Sequence, residues 1–338
     1  MSVVYVREQG AVVRRQGERL LVTKKDQTLM DIPLIHLEQL ALFGNVQLTS
    51  PAMALLLYKE VDVVFFSSRG KFRGRLMHTG SKFAELRHAQ LQQMSDENVA
   101  LSIARQVVAG KLHNQRWLLQ QMARTSSPNL RRAMNKAAQG VGAMLSKIKQ
   151  TQSLDSLRGY EGKAGAYYFG AFKAMLSPAW GFQGRAYHPP PDPFNAMLSF
   201  GYSLLLKDVT AAVQLVGLDP YLGFFHAIAY GRPSLSLDVM EEFRPLLVDT
   251  VAWELVNEEQ ITPADCVRTG RAQRPIELND QAVERLITTY EKRLASRVTY
   301  PPSGQKVTYR RCLELQVRQI ARIVLGKAKH YRPMKVRG

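Results

Sequence analysis

Residues 78–95 read HTGSKFAELRHAQLQQMS, and the composition of the chain changes across them. Upstream, short runs of β-branched and apolar residues are punctuated by glycine. Within the stretch Gln, Ala and Leu take over, and downstream the apolar residues recur at helical spacing. The chain therefore reads as α+β: a small N-terminal β-rich domain over residues 1–80, a linker over 81–95 already turning helical, a larger all-α domain over 96–326 and a basic C-terminal tail over 327–338.

The expected strands are Val3–Val6, Ala11–Arg15, Leu20–Thr23, Leu29–Ile32, Leu40–Phe43, Val61–Phe66 and Phe72–Leu76. Ser50–Tyr58 is the exception, with Pro51 in the first turn of a helix. Gly44-Asn45 and Ser68-Arg69-Gly70 mark turns, and Lys71, Arg73 and Arg75 alternate so as to share one face of the outgoing strand. Such a face either touches phosphate or is simply solvated. Downstream, helices are expected over 98–122, 129–149, 155–176, 192–216, 219–230, 237–256, 262–268, 280–296 and 308–326.

Among the 338 residues, 46 Lys and Arg outnumber 28 Asp and Glu, a net charge of +18. An excess of this size favours a polyanionic partner, nucleic acid before a membrane surface, because each phosphate contact releases counterions. Residues 302–338 carry ten of the basic residues and one acid, Glu314, so they supply half of the net charge. There Arg311, Arg318 and Arg322 fall on one side of a helix, opposite Leu313, Val317, Ile320 and Val324. That side is either a phosphate-contacting surface or a solvated face. Cys266 and Cys312 have no CxxC spacing, and no secretory segment opens the chain. The longest apolar runs fall well short of the roughly 20 residues a membrane span needs. A cytoplasmic protein with inert thiols is expected. There is no GxGxxG, no P-loop and no HExxH.

One acid–histidine cluster stands out. In residues 217–249, His226 is followed by Asp238, Glu241 and Glu242. Asp238 lies three and four positions before the two glutamates, so all three acids fall on one side of a helix and spacing alone does not choose between Glu241 and Glu242. FFHAIAY reads as an apolar helix and Gly231-Arg232-Pro233 as a turn, so His226 and the acids are expected to converge from antiparallel helices. They converge on a divalent cation, or His226 is a hydrogen-bonded core residue. A cation needs a further ligand, and Glu161 in RGYEGKAGAYYF is the strongest candidate, because the small residues around it admit a close helix and partly desolvate its carboxylate. The alternative is a surface glutamate paired with Lys163 or Arg158. Asn195, Ser199 and Tyr202 form a polar stripe that either orients a substrate or satisfies contacts between helices.

Three separated stretches, RGYEGKAGAYYF (158–169), PPPDPFNAMLSFGYSLL (189–205) and GLDPYLGFFHAIAYGRPSLSLDVMEEFRP (217–245), together resemble the CRISPR-associated integrase/endonuclease that is the universal catalytic subunit of spacer acquisition. DIPLIHLEQLALFGNVQLTSPAM (31–53) resembles the β-domain of the same family, so the likeness spans nearly the whole chain. The resemblance implies a homodimer paired through its β-domains, bridged by a small ferredoxin-like second CRISPR-associated subunit into a heterohexamer on double-stranded DNA. It implies Glu161, His226 and Glu241 as metal ligands, with Asp238 as a supporting catalytic acid. Oxygen ligands suit Mg²⁺, and the imidazole makes Mn²⁺ equally suitable. The implied reaction is attack of a 3′-hydroxyl on a phosphodiester, inserting short foreign DNA into a CRISPR array. Arg73, Arg75, Arg232, Arg311, Arg318 and Arg322 are the candidate DNA contacts, Arg232 nearest the metal. The rivals are a non-catalytic basic scaffold for nucleic acid and a nuclease of branched DNA or RNA.

Overall fold

The computed structural model describes residues 2–25, 27–68, 72–76, 83–186, 189–272 and 274–336. The chain divides into two units, Met1–Lys82 and Phe83–Gly338.

The first unit holds β1 (Ser2–Val6), β2 (Val12–Gln16), β3 (Arg19–Lys24), β4 (Gln27–Pro33), β5 (Leu37–Phe43), β6 (Gln47–Leu48), α1 (Ser50–Tyr58), β7 (Asp62–Phe66) and β8 (Phe72–Leu76). They form two four-stranded sheets, ordered β1-β5-β7-β8 and β4-β3-β2-β6. In the first sheet β5 runs parallel to both β1 and β7. Its residues Leu40–Phe43 are buried, as the continuous apolar run of a strand between parallel neighbours should be. Val6, Val13, Leu20, Val22, Leu40, Leu42, Leu56 and Val63 share one core. The expected basic face of β8 is thinner than its sequence: Arg73 is exposed, but Arg75 is half-buried and donates from Nε to Asp62 Oδ1 at 2.7 Å. Lys71 and the turn at Arg69-Gly70 lie outside the described residues.

The second unit is mainly helical: α2 (Ala84–Ser95), α3 (Glu97–Thr125), α4 (Pro128–Ile148), α5 (Leu154–Met175), α6 (Pro193–Val216), α7 (Ser234–Glu241), α8 (Thr250–Asn257), α9 (Asp280–Ala295) and α10 (Tyr309–Val324). The expected linker over 81–95 is instead mostly helix α2, and α2 belongs to this unit. Its buried Gln90 donates to the carbonyls of Asp219 and Leu222 at 2.9 and 2.8 Å and accepts from the Asp219 amide at 2.8 Å. The long helix α3, capped by Asp96, packs on α4 and α5. Helix α6 is apolar and largely buried within the unit, capped by Asp192 and ended by Gly217 at φ +99°.

Three expected helices differ. Residues 219–230 form a loop. The helix expected over 237–256 is α7 and α8 joined by a π-helical stretch, Arg244–Asp249, where Pro245 lacks the amide a continuous α-helix would need. The helix expected over 262–268 is one turn, Pro263–Asp265, followed by β9 (Cys266–Arg271) paired antiparallel with β10 (Arg274–Leu278). Val267, Thr269 and Ile276 suit strands, and Gly270 supplies the positive φ. A second short hairpin pairs β11 (Arg297–Thr299) with β12 (Lys306–Thr308). Both cysteines are free, and burial pushes each thiol up to about 12.

The basic segment after α10 is docked as far as Val336. Tyr331, Met334 and Val336 are buried, and the segment straps across α3. The Asn114 amide donates to the carbonyls of Glu242 and Met334 at 2.8 and 2.7 Å, and its oxygen accepts from the Val336 amide at 3.3 Å. Gly110 makes room for the strap: a Cβ there would stand 2.8 Å from Pro333 Cβ and 2.9 Å from Glu242 Cγ. Gly110→Ala should therefore lower stability by about 1–3 kcal/mol in urea unfolding, through overpacking. Limited proteolysis should then cut within 331–336 first; unchanged stability and protection would show that the strap does not need the bare glycine.

Candidate active site

The site begins with one carboxylate. After Gly217 the chain loops back toward α7, and Asp238 on that helix collects the loop. Its Oδ2 accepts the amides of Phe224 and Phe225 at 2.6 and 2.9 Å. Its Oδ1 accepts the His226 amide at 2.9 Å and lies 2.7 Å from His226 Nδ1. Amides that a helix would give to carbonyls four residues back go instead to Asp238, which is why the FFHAIAY spacing does not become the expected helix. Gly223 permits the approach, because a Cβ there would meet Asp238 Oδ2 at 2.8 Å and the Ser234 carbonyl carbon at 2.7 Å. Pairing of Nδ1 with a carboxylate assigns the proton to Nδ1 and leaves the Nε2 lone pair directed outward as a potential ligand. Nε2 stands 4.0 Å from Glu241 Oε1.

Around Glu241 the charges are closely balanced. Lys111, from α3, hydrogen-bonds Glu161 Oε1 on α5, and its Nζ lies 2.5 Å from Glu241 Oε2. Arg244 Nε lies 3.1 Å from Glu241 Oε1. Burial pushes the Glu241 carboxyl upward, but the charges of Arg244 and Lys111 outweigh it and hold the group below the usual range, hence ionised. Arg244 is itself supported: its guanidinium lies 4.5 Å from the centre of the Tyr202 ring. The Tyr202 and Tyr168 hydroxyls donate to Asp249 at 2.6 and 2.8 Å. Burial raises the Asp249 carboxyl to about 6 and keeps both phenols protonated as donors. The rest of the polar stripe on α6 satisfies contacts between elements, with Asn195 Oδ1 and Ser199 Oγ accepting from Arg185 at 2.9 and 3.3 Å.

The two adjacent glutamates part company. Glu242 points away from Glu161 and His226, toward α10 and the strap, where it accepts from Gln316 Nε2 at 2.8 Å and the Met334 amide at 2.6 Å. Burial raises its carboxyl to about 8. Thus Glu161, His226, Asp238 and Glu241 are brought together and Glu242 is not. Arg232 is exposed on the His226 loop. Arg311 and Arg318 both pair with Glu314 on α10, and Arg322 is exposed there. Sequence reasoning missed Lys111, Arg244 and Asp249. Lys111 lies four and three residues after buried Val107 and Val108, on the inward side of α3, and Arg244 lies three after Glu241.

Among the described residues no three His, Cys, Asp or Glu side chains stand around one point at metal-holding spacing. The donor set nonetheless fits a divalent cation. Two carboxylates and an imidazole with its second nitrogen fixed are hard-to-borderline ligands, and Lys111 already marks a position where Glu161 and Glu241 share one positive charge.

Residues 4–292 match the family model for CRISPR associated protein Cas1. A curated relative, CRISPR-associated endonuclease Cas1 1 of Moorella thermoacetica, is 34% identical over 342 residues, covering 100% of this chain and 99% of its own. Among solved structures, a casposase bound to integration product matches with TM-score 0.85 at 22% identity, covering 100% of this chain and 95% of that one. That likeness is one of fold, and it agrees with strands followed by a mainly helical region. A chain of a Cas6-RT-Cas1–Cas2 complex matches with TM-score 0.84 at 25% identity, covering 98% of this chain and 36% of that one.

The buried acids make stability depend on pH. Folded Glu242 binds its proton more tightly than the unfolded chain, whose ordinary value is 4.5, so its contribution is fully present below pH 4.5 and lost as pH rises through about 8. Asp249 behaves likewise but is spent above about 6. The unfolding free energy from urea titration should therefore fall between about pH 6 and 8 in the wild type, on the order of a few kcal/mol, and stay flat there in Glu242→Gln. Parallel curves for the two proteins would contradict the assignment.

Proposed function

The chain belongs to the CRISPR-associated Cas1 family, and from that premise we propose that it is a metal-dependent DNA endonuclease and integrase that inserts short foreign DNA fragments into a CRISPR array. The observation that supports the proposal is that Lys111 joins Glu161 to the buried Glu241, beside the Nε2 of a histidine whose other nitrogen is paired with Asp238.

In this reading Glu161, His226 and Glu241 hold Mg²⁺ or Mn²⁺. The bound cation would stabilise charge developing on the attacked phosphate and the leaving oxygen. Asp238 keeps Nδ1 protonated and the loop in place, so that Nε2 faces the carboxylates. Arg244, braced on Tyr202, keeps Glu241 ionised and adds positive charge beside the phosphate position. Arg232 on the exposed loop contacts the DNA backbone without reading bases. A DNA 3′-hydroxyl oxygen bonds to phosphorus as the bond to the leaving 3′-oxygen breaks, and that oxygen takes up the proton released. One phosphodiester replaces another, so no external energy source is required. With water as nucleophile the same site is an endonuclease.

The partners follow from the same reading. They are double-stranded DNA, held by the excess of 46 basic over 28 acidic residues, a second copy of the chain paired through the β-rich units, and a small second CRISPR-associated subunit of the Cas2 type, as in the related complex. The setting is cytoplasmic.

Glu161→Ala, His226→Ala and Glu241→Ala should each lower Mg²⁺- or Mn²⁺-supported cleavage and strand transfer on duplexes with free 3′-hydroxyl ends by at least about a hundredfold, as expected when a metal ligand is removed. Full activity in all three variants would end the metal-site reading, and a wild type inactive with either metal would identify a non-catalytic basic scaffold. Preference for branched DNA or for RNA over these duplexes, at one salt concentration, would redirect the assignment to a repair nuclease or ribonuclease.

A further inference from the structure

We propose that Lys111 is a built-in competitor of the divalent cation: its ammonium holds Glu161 and Glu241 together as a cation does, and a metal binds only as that ammonium is released from at least one of them. The inference rests on the metal-site reading given above and adds what controls occupancy of that site.

Lys111 is 8% exposed, on the inward side of α3 between Gly110 and Leu112. A lysine that deep is costly unless its charge is met. It is met by two carboxylates from two other helices, Glu161 Oε1 on α5 and Glu241 Oε2 on α7. Glu241 is only 3% exposed, and two carboxylates brought that close repel unless positive charge lies between them. Lys111 therefore lets α5 and α7 carry their glutamates to one place. The other Glu241 oxygen, Oε1, faces Arg244 at 3.1 Å and His226 Nε2 at 4.0 Å. A cation shared by Glu161, Glu241 and Nε2 competes with this ammonium for the two carboxylates. Its affinity is then the difference between two cations competing for the same carboxylates.

Removing the competitor should tighten metal binding. In calorimetric titration of the full-length protein with Mn²⁺, Lys111→Met should bind at least about tenfold more tightly than the wild type, while Lys163→Met, a lysine two residues from Glu161 on the exposed side of α5, should change affinity less than about twofold. Without Mn²⁺, Lys111→Met should melt several degrees lower than the wild type, and added Mn²⁺ should restore more stability to it than to the wild type. Lys111→Gln, which keeps donors without the charge, carries the same affinity expectation if Lys111→Met does not fold. A lysine with a purely structural role would lower the melting temperature without raising Mn²⁺ affinity, and that result overturns the proposal. If the wild type binds Mn²⁺, and Glu161→Ala abolishes it, while neither Lys111 variant binds more tightly, the proposal falls and the metal site stands. If the wild type binds no Mn²⁺ at Glu161, both fall.

Discussion

The Asp238 carboxylate is the contact on which the site depends. It accepts three consecutive amides, Phe224 to His226, and pairs with the His226 ring. One side chain therefore sets the path of the loop, the orientation of the imidazole and the nitrogen that carries its proton. Gly223 matters for the same reason, since any Cβ would push the loop off this carboxylate. Such a cluster of donors around a buried anion is a local charge balance as well as a turn, and the loop's exposed side is left to present Arg232.

Three buried acids within nine residues show how environment divides labour. Glu241 is held ionised by Arg244 and Lys111 against its own burial. Asp249, raised to about 6, is satisfied by two phenols and braces the ring under Arg244. Glu242, raised to about 8, is turned to the strap and α10. The π-helical stretch between α7 and α8 carries Arg244 and Asp249 between them, so the irregularity imposed by Pro245 coincides with the support of the site. Divergent proton affinities among neighbouring acids are a mark of functional sites.

Much of the fold was legible because its cues are local. β-branched runs broken by glycine produced both sheets of the first unit, and helical spacing located α3 to α6, α9 and α10. Where Pro245 or β-branched residues broke an expected helix the cause was local, but the other errors share one cause: a non-local partner overrode the local pattern. FFHAIAY has helical spacing, but its first three amides are taken by an aspartate 12 to 14 residues on. Glu241 and Glu242 cannot be told apart by spacing; Glu242 is claimed by Gln316 and Met334, 74 and 92 residues away. A single lysine in an amphipathic helix reads as surface, and Lys111 is buried only because α5 and α7 bring acids to it. The C-terminal segment reads as solvated from its charge, yet Tyr331, Met334 and Val336 dock it.

The central claim is that Glu161, His226 and Glu241 close on one cation. Anomalous diffraction from crystals soaked in Mn²⁺ tests it most directly. The account predicts a single strong peak at metal-ligand distance from His226 Nε2 and from one oxygen each of Glu161 and Glu241, with Asp238 still bonded to the His226 loop. A peak coordinated by Asp238 or Glu242, or no peak between α5 and α7, would contradict it.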